Sequence, residues 1–146
     1  MKHTYFYNTQ DWRAEGTYFD EEGQEFPLYG EVSVIHSEEQ WSLDGFLEVT
    51  LQTPVRFTNK YSIHESELPS TLQWESYNPA LGTLKGTFEI IGSSIISFYT
   101  SEDGMYSGTE TLVQVSPEEY YNAGVSFCYG RKMSSWTARL KGCKLP

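Results

Sequence analysis

The stretch Phe26-Pro27-Leu28-Tyr29-Gly30-Glu31-Val32-Ser33-Val34-Ile35 decides the fold class. Its even positions are all apolar or glycine, while its odd positions include Glu31 and Ser33. A two-residue period sends alternate side chains to opposite faces of a strand, so this segment hides one face and wets the other. On its N-terminal side, Trp12, Ala14, Gly16 and Tyr18 share one parity against Arg13, Glu15 and Thr17, with the turn Asp20-Glu21-Glu22-Gly23-Gln24 between the two segments. On its C-terminal side the acidic Ser37-Glu38-Glu39-Gln40 leads into Trp41, Leu43, Gly45, Leu47, Val49 and Leu51, which alternate against Ser42, Asp44, Glu48, Thr50 and Gln52.

The period keeps returning until Leu140. Val55, Phe57, Tyr61 and Ile63 mark a fourth strand, Leu72, Trp74 and Ser76 a fifth, Leu84, Gly86, Phe88 and Ile90 a sixth, and Ile95 to Tyr99 a seventh. The eighth, about Met105 to Val115, has apolar residues on both parities, so its faces are unassigned. Val125 to Gly130 and Ser134 to Lys141 complete the series, with Trp136, Ala138 and Leu140 facing in. One helical signal interrupts it. Ser116-Pro117-Glu118-Glu119 has a Ser N-cap, Pro at the first position and Glu three residues on, which predicts a short helical turn near residues 117–122. Consecutive hairpins with short turns predict an all-β chain, residues 1–146 forming a single antiparallel up-and-down barrel of about 8–10 strands.

Composition fits one such domain. The chain has 146 residues, large enough for a core without disulfides or metal, and its 16% aromatic share supplies area suited to strands. The net charge of −10 repels nucleic acid and anionic membranes, and neither is expected as a partner. The start Met1-Lys2-His3-Thr4 opens no apolar h-region and no run approaches the ~20 apolar residues of a membrane span, so a cytoplasmic location is expected. Cys128 and Cys143 lack a metal-ligand spacing and read as reduced thiols, and His3, His36 and His64 show no pairwise ligand spacing. No metal is expected, and the sequence names no cofactor and no catalytic motif.

Trp12 early in the first strand, Gly16 four residues on, the meander of hairpins and Arg139 in the last strand together resemble the calycin group: lipocalins, fatty-acid-binding proteins and lipocalin-like intracellular barrels. In lipocalins a first-strand Trp is packed by a basic residue from the last strand. The resemblance therefore implies that Trp12 and Arg139 close one end of the barrel. The Gly-x-Trp of lipocalins reads Gln10-Asp11-Trp12 here, and the disulfides of secreted lipocalins are missing, which shifts the comparison toward intracellular members.

A barrel of this size holds either a packed interior or one small molecule. The candidate lumen residues are His36, Phe57, Asn59, Tyr61, Trp74, Ser76, Phe88, Glu110 and Arg131, with Phe26, Leu28 and Leu47 as further apolar lining. The polar members matter because each is costly to bury unpaired and specific once paired. Four of them have a plainer reading. His36 beside the acidic turn reads first as a solvated histidine near Glu38, Tyr61 as a core ring, Glu110 as part of a wet strand face, and Arg131 as a hairpin residue. Three functions follow: a carrier of a small apolar or aromatic molecule; an isomerase or lyase using Glu110, His36 or Tyr61; or a packed barrel whose exposed Tyr5, Phe6, Tyr7, Phe19, Phe46 or Tyr99 form a homodimer face.

Overall fold

The computed structural model describes residues 1–79 and 81–146. Ten strands are found among them: β1 (Gln10–Phe19), β2 (Glu25–His36), β3 (Trp41–Val49), β4 (Val55–Glu65), β5 (Thr71–Asn78), β6 (Gly82–Ile91), β7 (Ser94–Ser101), β8 (Tyr106–Ser116), β9 (Glu119–Cys128) and β10 (Arg131–Cys143). Every strand pairs antiparallel with its sequence neighbours, and β1 pairs β10 from Asp11↔Cys143 to Phe19↔Ser135, which closes the sheet. This is a calycin-like up-and-down barrel, a closure that leaves no edge strand. Among the described residues no helix is long and apolar enough to cross a membrane.

The alternation read from Phe26 to Ile35 sets the wall. Leu28, Val32 and Val34 are buried, and the register places Leu28 opposite Val49 and Val34 opposite Leu43 on the inner face. The parity of β8, unassigned from sequence, is settled with Leu112 and Gln114 buried, so its even residues face in.

The helical turn expected near residues 117–122 is absent. Ser116-Pro117-Glu118-Glu119 instead makes the tight β8–β9 turn, and β9 starts six residues before the expected Val125. The Ser116 hydroxyl accepts from the Glu118 N–H (3.3 Å), as a capping serine would, but the following residues pair on both sides, Tyr120 with Gln114 and with Leu140. A helix there would forfeit two ladders, and the inward Tyr120 and Asn122 fit the strand period.

Residues ahead of β1 plug one end. Tyr5 and Phe6, expected on an exposed face, are 5% and 1% exposed. Phe6 stacks on Phe88 at 4.2 Å, and Tyr5 packs against Trp12 (5.1 Å) and Tyr120 (5.6 Å). Tyr120 Oη accepts from the Thr4 N–H (3.0 Å), and the Gln114 side chain donates to the Lys2 carbonyl (2.9 Å). The left-handed conformation of Phe6 (φ 67°) turns its ring into the barrel. That conformation costs about 1 kcal/mol for a residue with a Cβ, less than the ~2 kcal/mol gained by burying a phenyl ring.

Trp12 and Arg139 do not meet as the lipocalin comparison implies. Trp12 is fully buried and is packed by the Tyr5 and Tyr120 rings, its indole N–H without a partner among the described residues. Arg139 lies on the outer parity of β10, where it contacts Glu119 (3.2 Å) and donates to Tyr121 Oη (2.9 Å). Rings from the N-terminal segment, not a basic side chain, close this end.

Candidate functional site

The plug fills only half of the barrel. At the opposite end the walls enclose an open-mouthed cavity of about 530 Å³, within the range of small-molecule sites. Its rim comes from the β1–β2 turn (Asp20, Glu21), the start of β4 (Phe57, Thr58), the β5–β6 connection (Tyr77, Asn78, Leu81) and Met133. Its walls carry the aliphatic Leu28, Leu47, Val49 and Leu84 together with Tyr61, Trp74, Tyr99, Trp136, Ser97 and Glu110.

Strand register explains the aromatic wall. Tyr61 pairs Ser76 while Trp74 sits opposite Ile63, and the two rings stack at 4.5 Å with a 9° interplanar angle. The Trp74 indole N–H donates to the Ser97 hydroxyl (3.2 Å), which fixes the ring's rotation. Gly108 and Gly124 supply room on the strands around Glu110: a methyl at Gly108 would run into the Tyr99 ring, and one at Gly124 into Trp136. Gly124 is the register partner of both Glu110 and Trp136, so the indole lies over the wall beside the carboxyl.

Glu110 is the one carboxyl in the depth of this cavity among its described lining residues. Burial raises its pKa to about 7, against the pull of a hydrogen bond from Asn122. Asn122 is itself held in place. Its side-chain oxygen accepts from the Trp136 indole (2.9 Å) and its nitrogen donates to the Thr111 carbonyl (3.0 Å). Burial, and then the charge of Glu110, push Tyr61 well up and Tyr99 up to about 12. Both phenols therefore stay protonated and serve as neutral donors.

Of the nine lumen candidates, Phe57, Asn59, Tyr61, Trp74, Ser76 and Glu110 line the cavity together. Phe88 lies beneath it, fully buried against Phe6 and Trp74. His36 keeps its inward parity but ends β2 at the plugged end, in register with Trp41 and stacked on its ring at 4.3 Å, with Nε2 donating to the Phe6 carbonyl (2.6 Å). It is neither a lumen ligand nor paired with Glu38. Arg131 stands exposed after the Tyr129-Gly130 turn. β9 buries its even residues Tyr120, Asn122 and Ser126, so the odd parity that Arg131 shares with Val125, Phe127 and Tyr129 is not the inward one.

The sequence reading leaves out Ser97, Asn122, Ser126 and Ser134 and puts Tyr99 on an exposed face, whereas Tyr99 lines the cavity. Tyr99 shares the parity of the buried Ile95 and Ser97, a signal that was present. Asn122 was hidden inside the expected helical turn. Among the described residues no group of three His, Cys, Asp or Glu is arranged to hold a metal ion, and both cysteines are free thiols.

No protein-family model matches the chain, and no curated protein matches it. Among solved structures, an S-type phycobiliprotein lyase from Guillardia theta is similar over 97% of this chain and 92% of its own, with a TM-score of 0.68 at 7% identity. A crystal structure of an N-terminal dehydratase from the difficidin assembly line aligns over 96% and 80% at 8% identity, with a TM-score of only 0.29. The first likeness supports the barrel architecture and leaves the chemistry to the residues.

Proposed function

We propose that this barrel binds a small hydrophobic molecule in its open half and acts as a carrier or sequestering protein. The observation that carries the reading is the cavity itself: about 530 Å³, walled by Tyr61, Trp74, Tyr99 and Trp136 and holding a few oriented polar groups. Sites for small molecules have this makeup, apolar and aromatic area for affinity and sparse polar groups for orientation. The whole-length likeness to a phycobiliprotein lyase is compatible with a ligand-handling barrel. Replacement of Tyr61 and Trp74 by Ala tests it: uptake of a neutral, polarity-sensitive naphthalene dye is abolished while the far-UV circular dichroism spectrum keeps its strand signature. Unchanged uptake would put the dye elsewhere.

A second reading is favoured by one observation. A carboxyl with a pKa of about 7 beside aromatic walls is suited to move a proton on a bound substrate, so the cavity also supports an isomerase- or lyase-type reaction with Glu110 as acid or base. Turnover that follows a titration near pH 7 and vanishes in Glu110→Gln distinguishes the enzyme from the carrier.

A further inference from the structure

We propose that the ligand of this cavity is an organic cation, most simply a protonated aromatic amine, held by an ion pair to Glu110 and by the aromatic lining around it. The inference rests on the reading that the cavity binds a small molecule, and it specifies that molecule's charge.

The distribution of charge carries it. The described lining includes Asp20, Glu21 and Lys60 at the rim and Glu110 alone in the depth. Arg13, Arg139 and Lys141 belong to β1 and β10 but border a groove on the barrel's outer face. An anionic ligand would meet an uncompensated carboxylate with no interior cation to receive it, an arrangement that rejects anions. A cation meets the reverse: one carboxylate, an aromatic lining that includes Tyr61, Tyr99 and Trp136, and a net protein charge of −10 that raises the local concentration of cations.

The built geometry around Glu110 points the same way. Asn122 is anchored by Trp136 and Thr111 so that its amide faces the carboxyl, and this hydrogen bond favours the charged form. The other groups facing Glu110 are Ser97 opposite it on β7, Tyr61 on β4, Tyr99 on β7 and Tyr5 from the plug. All three phenols have raised pKa values and stay neutral below pH 9, so Glu110 is the group in this set whose charge changes between pH 5 and 8. Entry of a cation stabilises the ionised carboxyl and displaces its proton, and proton and ligand therefore compete for one site.

The test uses three matched probes, 1-naphthylmethylamine, 1-naphthylmethanol and 1-naphthoate, titrated calorimetrically into the wild-type protein and Glu110→Gln. At pH 8 the wild type binds the amine at least tenfold more tightly than the alcohol, and the naphthoate most weakly. Lowering the pH to 5.5, where the amine remains protonated, weakens its binding by about 30-fold while leaving the alcohol unchanged. In Glu110→Gln the amine and alcohol bind alike and the pH dependence is gone. Naphthoate binding as tightly as the amine, or an amine preference that survives the substitution, overturns the charge assignment and leaves the binding cavity standing. Failure of all three probes to bind the wild type overturns the binding reading and this inference with it. The wild-type probe and pH series decides the matter without a variant.

Discussion

At the residue scale Glu110 sets a stability balance opposite to that of most surface carboxylates. Its pKa in the fold, about 7, lies above the ~4.3 of an unfolded glutamate. The folded state therefore holds the proton more tightly, and the stability this contributes is complete below about pH 4.3 and lost as the pH rises through 7. The cavity face of the carboxyl admits solvent, so the loss is on the order of 2 kcal/mol rather than the full value of the shift. In urea denaturation Glu110→Gln is expected to be more stable than the wild type by that amount at pH 8 and equal to it at pH 4. A variant less stable at pH 8 would contradict the assignment. Gly124 belongs to the same cluster. Gly124→Ala drives a methyl into the Trp136 ring and costs about 1–3 kcal/mol, with a shifted tryptophan emission as the ring gives way. Unchanged emission and stability would mean that the indole does not lie over Gly124.

At the element scale the N-terminal segment and the ten strands divide the work. The strands make the wall, and residues 3–7 close one end through Phe6 on Phe88, Tyr7 on Trp41 (5.3 Å) and the His36 bond to the Phe6 carbonyl. Phe6→Ala leaves a void between Phe88 and the plug and is expected to cost about 3 kcal/mol in equilibrium unfolding. A loss below about 1 kcal/mol would show that the segment is not part of the core. Most strands are legible from parity because each exposes one face, β2 and β3 almost to their ends, whereas β8, apolar on both parities, and the first half of β9 are not. The plug was not, since Tyr5-Phe6-Tyr7 has no period and its burial depends on a reversed backbone at Phe6 that no local pattern announces. The β8–β9 turn was misread because a Ser-Pro-Glu-Glu signature caps a helix and makes a turn by the same side-chain-to-backbone bonds.

At the scale of the whole molecule, closure of β1 on β10 produces a barrel that is packed at one end and hollow at the other. Alternation says which way a residue faces and nothing about the width between walls, so Tyr61, Trp74 and Ser76 could be placed inside, while Glu110, on a strand apolar on both parities, and the cavity itself could not be foreseen. Asn122 and Tyr99, which give Glu110 its surroundings, come from the hairpin strands on either side of it, β9 and β7, and the register of those pairs brings them to the carboxyl. The central claim is that the hollow half is a binding site. Its most direct test is a ¹H–¹⁵N NMR titration with 1-naphthylmethanol that follows the four tryptophan indoles. The account predicts saturable shifts at Trp74 and Trp136, which line the cavity, with the indole signal of the plugged-end Trp12 unmoved. Indoles of Trp74 and Trp136 that stay in place at saturating probe, or shifts confined to Trp12 and Trp41, would contradict it.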